Sequence, residues 1–283
     1  MSEPSTGGTL YVVATPIGNL GDITLRALEI LKQVDLVAAE DTRHSRKLFN
    51  HYGITTRMTA CHEHNEAHKG EYLLQLLQSG SDIALISDAG TPAISDPGEM
   101  LVRRCREAGI RVVAVPGASA CISALSVAGL PTRRFSFDGF LPPKQGARRR
   151  QLQEYSACPV TTVLYEAPHR LVHTLADIVE VLGGQRQLAV ARELTKVHEE
   201  LFRGSAAMAL EHFGATTVRG EIVLLLAPAP AAQPQVDMTE ALRELCATGE
   251  MSTKDIARKV AADYAISVSA AYQACLRVRG EKQ

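Results

Sequence analysis

Acids and small residues gathered at the ends of short apolar runs carry most of the chemistry legible in this chain. Four such segments stand out: residues 10–22 (LYVVATPIGNLGD), 83–98 (IALISDAGTPAISDPG), 112–120 (VVAVPGASA) and 163–170 (VLYEAPHR). Each run is too short for a helix and reads as a buried strand. Each then breaks into Gly, Pro and small polar residues, where a ligand can reach backbone N–H and C=O groups. Gly90 allows close approach, while Pro92 and Pro97 stiffen the turn. Asp88 and Asp96 are placed to orient an amine or a ribose, and capping of a helix starting near Pro97 is the first expectation for Asp96. Glu40 and Asp41, at the end of another run, fit helix caps and proton acceptors equally well. In open α/β sheets ligands bind outside the carboxyl ends of the strands, so the four ends predict one backbone-lined pocket.

Several chemistries find little support. The first turn holds Gly18 and Gly21 but no GxGxxG, and no GxxxxGK[ST] occurs anywhere, which disfavours dinucleotide and nucleoside triphosphate sites. Cys61-His62-Glu63-His64, with His68 beyond, lacks the separated pairs that zinc uses, so no metal is expected. The six cysteines are scattered without CxxC spacing, as in reduced core thiols of a cytoplasmic protein. No apolar stretch approaches the roughly 20 residues of a membrane span, and MSEPSTGGT has no signal-peptide pattern.

The 283 residues carry a net charge of −1, with 46% hydrophobic and 22% charged residues, which suits about two globular domains. Strands are predicted at 10–15, 35–39, 82–87 and 110–115, and helices at 24–33, 42–52, 66–79 and 97–108. That alternation predicts a largely parallel sheet covered by helices over 9–128, after a disordered tail at 1–8. Gly129-Leu130-Pro131 marks a hinge. A second α/β domain follows over 129–227, with strands at 134–138, 160–165, 186–192 and 220–226 and helices near 146–156, 168–182 and 204–213. A Pro/Ala linker at 228–236 leads to a helical, helix-turn-helix-like module at 237–283, with Ser252 and Ser267 as caps.

Residues 133–150 (RRFSFDGFLPPKQGARRR) concentrate positive charge. Phe135 and Phe137 read as the buried face of a strand. Lys144, Arg148, Arg149 and Arg150 read as a strip that neutralises RNA phosphates.

Taken together, TPIGNLGDIT, AEDTRHS, SDAGTPAISDPG, VPGASA and FDGFLPPK closely resemble the ribosomal RNA small subunit methyltransferase I family, whose fold is of the tetrapyrrole-methylase type. The resemblance spans nearly the whole chain. It implies two α/β domains with a cleft between them and S-adenosyl-L-methionine as methyl donor. It also implies methylation of the ribose 2′-oxygen of a decoding-centre cytidine in 16S ribosomal RNA of the small subunit, and a homodimer. Neither DNA nor a membrane is implied as a partner.

Carried over by position, Pro16, Asp88, Gly90, Thr91 and Ala93 would meet the donor, with Ser119 and Ala120 in a second loop. Tyr165-Glu166 and Glu221-Ile222 would wall its adenosine. Thr91 departs from the Asp of the wider superfamily's Gly-Asp-Pro turn. A base must help the 2′-hydroxyl lose its proton. Asp22, Glu40, Asp41 and His64 are the candidates, with Asn19 orienting the ribose and Arg43 holding a phosphate. Two other readings remain: a small-molecule tetrapyrrole C-methylase, which the basic strip disfavours, and a non-enzymatic nucleic-acid-binding regulator.

Overall fold

The computed structural model describes residues 7–62, 66–230, 238–248, 251–264 and 266–280. The first half of the chain runs β1 (Thr9–Val13), α1 (Leu25–Gln33), β2 (Leu36–Ala39), α2 (Thr42–Tyr52), β3 (Met58–Ala60), α3 (Glu66–Gln78), β4 (Ile83–Ile86), α4 (Glu99–Glu107), β5 (Arg111–Val115) and α5 (Ala120–Val127). The strands form one parallel sheet in the order β3-β2-β4-β1-β5. Parallel strands buried on both faces read as continuous apolar runs, and every residue of β4 (IALI) is buried. Leu31, Leu48 and Phe49, from α1 and α2, pack with Val13 and Ile86 on one face. On the other, Leu73 and Leu77 of α3 and Leu101 of α4 pack with Leu10 and Leu85.

The second half runs β6 (Phe135–Phe140), α6 (Gln145–Glu154), β7 (Thr161–Glu166), α7 (Leu171–Leu182), β8 (Gln187–Arg192), β9 (Glu200–Ser205), α8 (Ala206–Gly214) and β10 (Ile222–Leu226). Its sheet has the order β6-β7-β10-β8-β9, parallel only between β6 and β7. Alternate residues of a strand face opposite ways. Leu164, Leu188, Val190 and Leu224 therefore meet α6, α7 and α8 on one face. Val163, Ala189, Ala191 and Val223 meet Cys121, Ala124 and Leu125 of α5 on the other. So the helix that leaves the first sheet covers the second one. This is why both sheets belong to one compact unit, residues 1–229, across the hinge at Gly129-Leu130-Pro131.

The tail forms its own unit of three helices, α9 (Met238–Thr248), α10 (Thr253–Asp263) and α11 (Val268–Gly280). Leu242, Ile256, Val260, Ala271 and Cys275 make its core. Ser252 Oγ accepts from Asp255 N and Ser267 Oγ from Ala270 N, so both serines cap as the sequence suggests. Of the expected linker, 231–236 lies outside the described residues. So does 1–6 of the expected tail, while Gly8 N donates to Leu77 O at 2.7 Å immediately before β1.

Candidate active site

The turns after β1, β4 and β5 and the strand ends of the second sheet surround one cleft of about 370 Å³, within the range of small-molecule pockets. Thr15 and Gly90 staple two of the turns together through paired backbone bonds, Thr15 N to Gly90 O at 2.9 Å and Gly90 N to Thr15 O at 3.0 Å. Gly90 therefore offers a ligand its bare Cα face, its N–H and C=O being spent on the staple.

The 88–98 loop is strained. Ala93 and Ser95 hold φ of 67° and 62°, conformations that cost about 1–3 kcal/mol each and persist where the surroundings enforce them. Gly98, at φ 122°, lets the loop enter α4, since a Cβ there would stand 2.5 Å from Leu85 Cδ2. Gly98→Ala is expected to lose about 1–3 kcal/mol of stability, read by urea unfolding.

Charge decides what the cleft can hold. Glu40, Asp88, Asp96, Glu166 and Glu221 line it, and no Lys, Arg or His does so among the described residues. Two of the five are engaged elsewhere. Glu166 accepts from Thr174 Oγ1 at 2.6 Å and from Ala167 N at 2.8 Å, fixing the entry to α7, and Glu221 pairs with Lys196.

Glu40 accepts from Asp88 N at 3.2 Å, and burial, opposed by that bond, raises its pKa. Burial, then the charge of Glu40, pushes Asp96 up to about 6 despite a hydrogen bond from Ser87. A cleft with three unpaired carboxylates repels phosphates and suits a cation. A sulfonium that also carries an ammonium group meets that requirement.

The remaining wall is apolar or main chain. Tyr165 stands edge-on to Phe137 and Phe140, with ring centroids 4.9 and 5.6 Å away. Ser119 caps α5 by accepting from Ile122 N. Ala120, the first residue of α5, lines the cleft, and a first-turn N–H has no partner within its own helix. Thr91 is held by Ala118 O, and Gly220-Glu221-Ile222 closes the far side. Most residues expected to meet the donor thus share this cleft. Pro16 instead lines a neighbouring cavity, and Ala93 shapes the loop without lining either one.

The proton-acceptor candidates separate. Only Glu40 lines the cleft. Asp41 caps α2, accepting from Arg43 N, and grips the Arg43 guanidinium, which brings its pKa to about 2 and makes it a poor base. Arg43 is consequently paired within its own turn. Asn19 caps the short turn that holds exposed Asp22, and neither lines this cleft or the neighbouring cavity. His64 lies outside the described residues. Asp96 is not the expected cap: the N-cap of α4 is Gly98, and no side chain bonds there. The following Pro97-Gly98 was the available signal, since a glycine cap leaves the preceding acid for other work.

The basic strip is also corrected. Arg148 is 4% exposed and its Nε donates to Asp177 Oδ2 at 2.7 Å. Arg149 donates to Asp177 Oδ1 at 2.7 Å and to Glu180 Oε1 at 2.6 Å. Both pin α6 to α7 and are not offered to RNA, whereas Lys144 and Arg150 are exposed. Phe135, expected inside, is 41% exposed because β6 is an edge strand, while Phe137 is half-buried.

Over 98% of its length the chain is 49% identical to ribosomal RNA small subunit methyltransferase I of Pseudomonas aeruginosa, of which it covers 99%. The chain belongs to the ribosomal RNA small subunit methyltransferase I family. The relative of that name in Escherichia coli O157:H7 is 48% identical over 99% of this chain and 98% of its own. Residues 9–209 match the tetrapyrrole (corrin/porphyrin) methylases. The fold agrees with uroporphyrin-III C-methyl transferase of Thermus thermophilus complexed with S-adenyl homocysteine, at TM-score 0.57 and 19% identity over 78% of this chain and 98% of that one. It agrees also with cobalt precorrin-4 methyltransferase, at 0.60 and 15% over 80% and 98%. Membership of the ribosomal RNA small subunit methyltransferase I family makes the chain a methyltransferase that uses S-adenosylmethionine. No described helix is long and apolar enough to cross a membrane.

Proposed function

We propose that this methyltransferase acts on 16S ribosomal RNA in the small subunit, at the ribose 2′-oxygen of a decoding-centre cytidine, and works as a homodimer. The names of the relatives support the RNA substrate. The observation that carries the donor site is the cleft lined by acids, with no Lys, Arg or His in its wall among the described residues. Exposed Ile122 and Val127 of α5 supply apolar surface for self-association, which light scattering would read as twice the chain mass.

When bound, S-adenosylmethionine supplies an electrophilic methyl on a sulfonium. Glu40 and Asp88 would balance its positive charge, and Ala120 and the Tyr165 ring would hold its orientation. Asp96, a carboxyl in the same cleft, would take the proton of the 2′-hydroxyl as that oxygen accepts the methyl group, leaving a 2′-methoxy ribose and S-adenosylhomocysteine. Holding the three reacting atoms in line provides much of the acceleration.

Asp96 must be ionised for this role. The turnover rate is therefore expected to rise with pH through about 6 and level off above it, as a pH–rate profile would show.

The substrate assignment is tested with methyl-labelled donor and small ribosomal subunits that lack the modification. Label is expected in 16S RNA as an alkali-resistant dinucleotide, the mark of a blocked 2′-oxygen. Label in a tetrapyrrole, and none in RNA, would overturn it.

A further inference from the structure

A second cavity, of about 300 Å³, adjoins the donor cleft and shares Ile17, Asp88, Ala89 and Glu221 with it. It holds basic side chains that the donor cleft lacks. His44 and Lys47, three residues apart on α2 and so on one helix face, line it together with Lys196. Two acids share its wall: Asp88, whose Oδ1 accepts from Asp41 N at 3.1 Å, and Glu221, whose Oε2 pairs with Lys196 Nζ at 3.2 Å, which leaves Lys47 as the lining ammonium outside that pair.

Lys196 is held by design of the chain rather than left to wander. Its ammonium also bonds Glu193 Oε1 at 2.7 Å, and it sits on the β8–β9 connection, where Glu193 and Thr195 hold left-handed φ of 53° and 67°. Gly18 makes this possible. A Cβ at 18 would stand 2.5 Å from Lys196 Cγ and 2.9 Å from Thr195 Oγ1, so only a glycine lets this loop of the second sheet close on the first turn. Strained backbone kept in place by its surroundings gathers where a site needs it. Thr195 Oγ1 is buried there with no hydrogen-bond partner among the described residues.

We propose that this second cavity receives the acceptor nucleotide, with its phosphate against Lys47, His44 and Lys196 and its ribose toward the wall shared with the donor cleft. The inference rests on the RNA reading above and adds the place where the acceptor lies. A nucleotide brings phosphates, which the donor cleft repels and to which Lys47 offers an ammonium here. Chemistry on one nucleotide of a folded RNA requires that nucleotide to leave its stack and enter a pocket. A shared wall brings its 2′-oxygen to the donor.

The test is steady-state methylation of unmodified small subunits by wild type and Lys47→Gln, each over a salt series, with S-adenosylhomocysteine affinity measured by calorimetry. Lys47 is exposed on α2, and a melting curve confirms that the variant is folded. The inference expects KM for the subunit to rise about tenfold and the slope of log affinity against log salt to fall by about one phosphate's worth. Donor-product affinity should stay within about twofold, because Lys47 does not line the donor cleft. Lys196→Met should raise the same KM. If wild type methylates the subunits while both variants keep its KM and salt slope, the cavity assignment falls and the RNA reading survives. If wild type labels no RNA, both fall.

Discussion

Asp96→Asn is expected to lower turnover by about two to four orders of magnitude while raising the melting temperature at neutral pH. The two effects have one origin. Burial and the charge of Glu40 raise the pKa of Asp96 from 3.8 to about 6, so the folded protein disfavours the ionised form that catalysis uses. A carboxyl whose folded pKa lies above its unfolded value stabilises the fold most below pH 3.8, and that contribution is lost as pH rises to about 6. Asparagine, which never ionises, removes the cost above pH 6 and changes little at the acid end. Melts of both proteins at pH 3.5 and pH 7.5, beside single-turnover rates, check this. A variant that loses activity and stability together at pH 7.5 would show Asp96 to be an ordinary structural residue. Destabilised catalytic groups of this kind trade stability for function.

Asp177→Ala is expected to cost about 3–5 kcal/mol of stability, the range for breaking a buried ion pair by removing one partner. Asp177 and Arg148 are 1% and 4% exposed, and Arg149 and Gln145 also donate to the Asp177 carboxylate. Burial alone would raise the pKa of Asp177, but the bonds from Arg149, Arg148 and Gln145 outweigh it and lower the value. The carboxylate's contribution is therefore present above pH 3.8 and fades as pH falls below it. Chemical denaturation at pH 7 would show the loss as a lowered midpoint. An Asp177→Ala protein of normal stability that binds RNA less well would instead restore the basic strip as an RNA contact.

The strand ends were legible because an apolar run breaking into Gly and Pro leaves few alternatives: residues 10–22, 83–98 and 163–170 all reach the same cleft. Three elements were not. β3 has only Met58, Thr59 and Ala60, with no apolar run to announce it. α5 is built of small residues after a Gly-rich turn, and its purpose, covering the second sheet, depends on a partner that the chain reaches only later. β9 is an edge strand with Leu201 and Arg203 exposed or half-exposed, which reads as a loop.

The site was legible to the same limit. Spacing placed Asp88, Gly90 and Ser119 at one pocket, because the first two follow β4 and the third follows β5. It could not tell that Arg148 is buried, since that depends on Asp177, 29 residues further on. Nor could it separate Glu40, which faces the cleft, from Asp41 beside it, which turns to cap α2.

The most direct measurement is a crystal structure of the protein grown with saturating S-adenosylhomocysteine. The account predicts the ligand between the two sheets, against the Gly90 Cα and the Ala120 N–H, its ring beside Tyr165 and its sulfur facing the Glu40–Asp96 side of the cleft. Ligand bound elsewhere on the molecule, or this cleft unfilled at saturation, would contradict it.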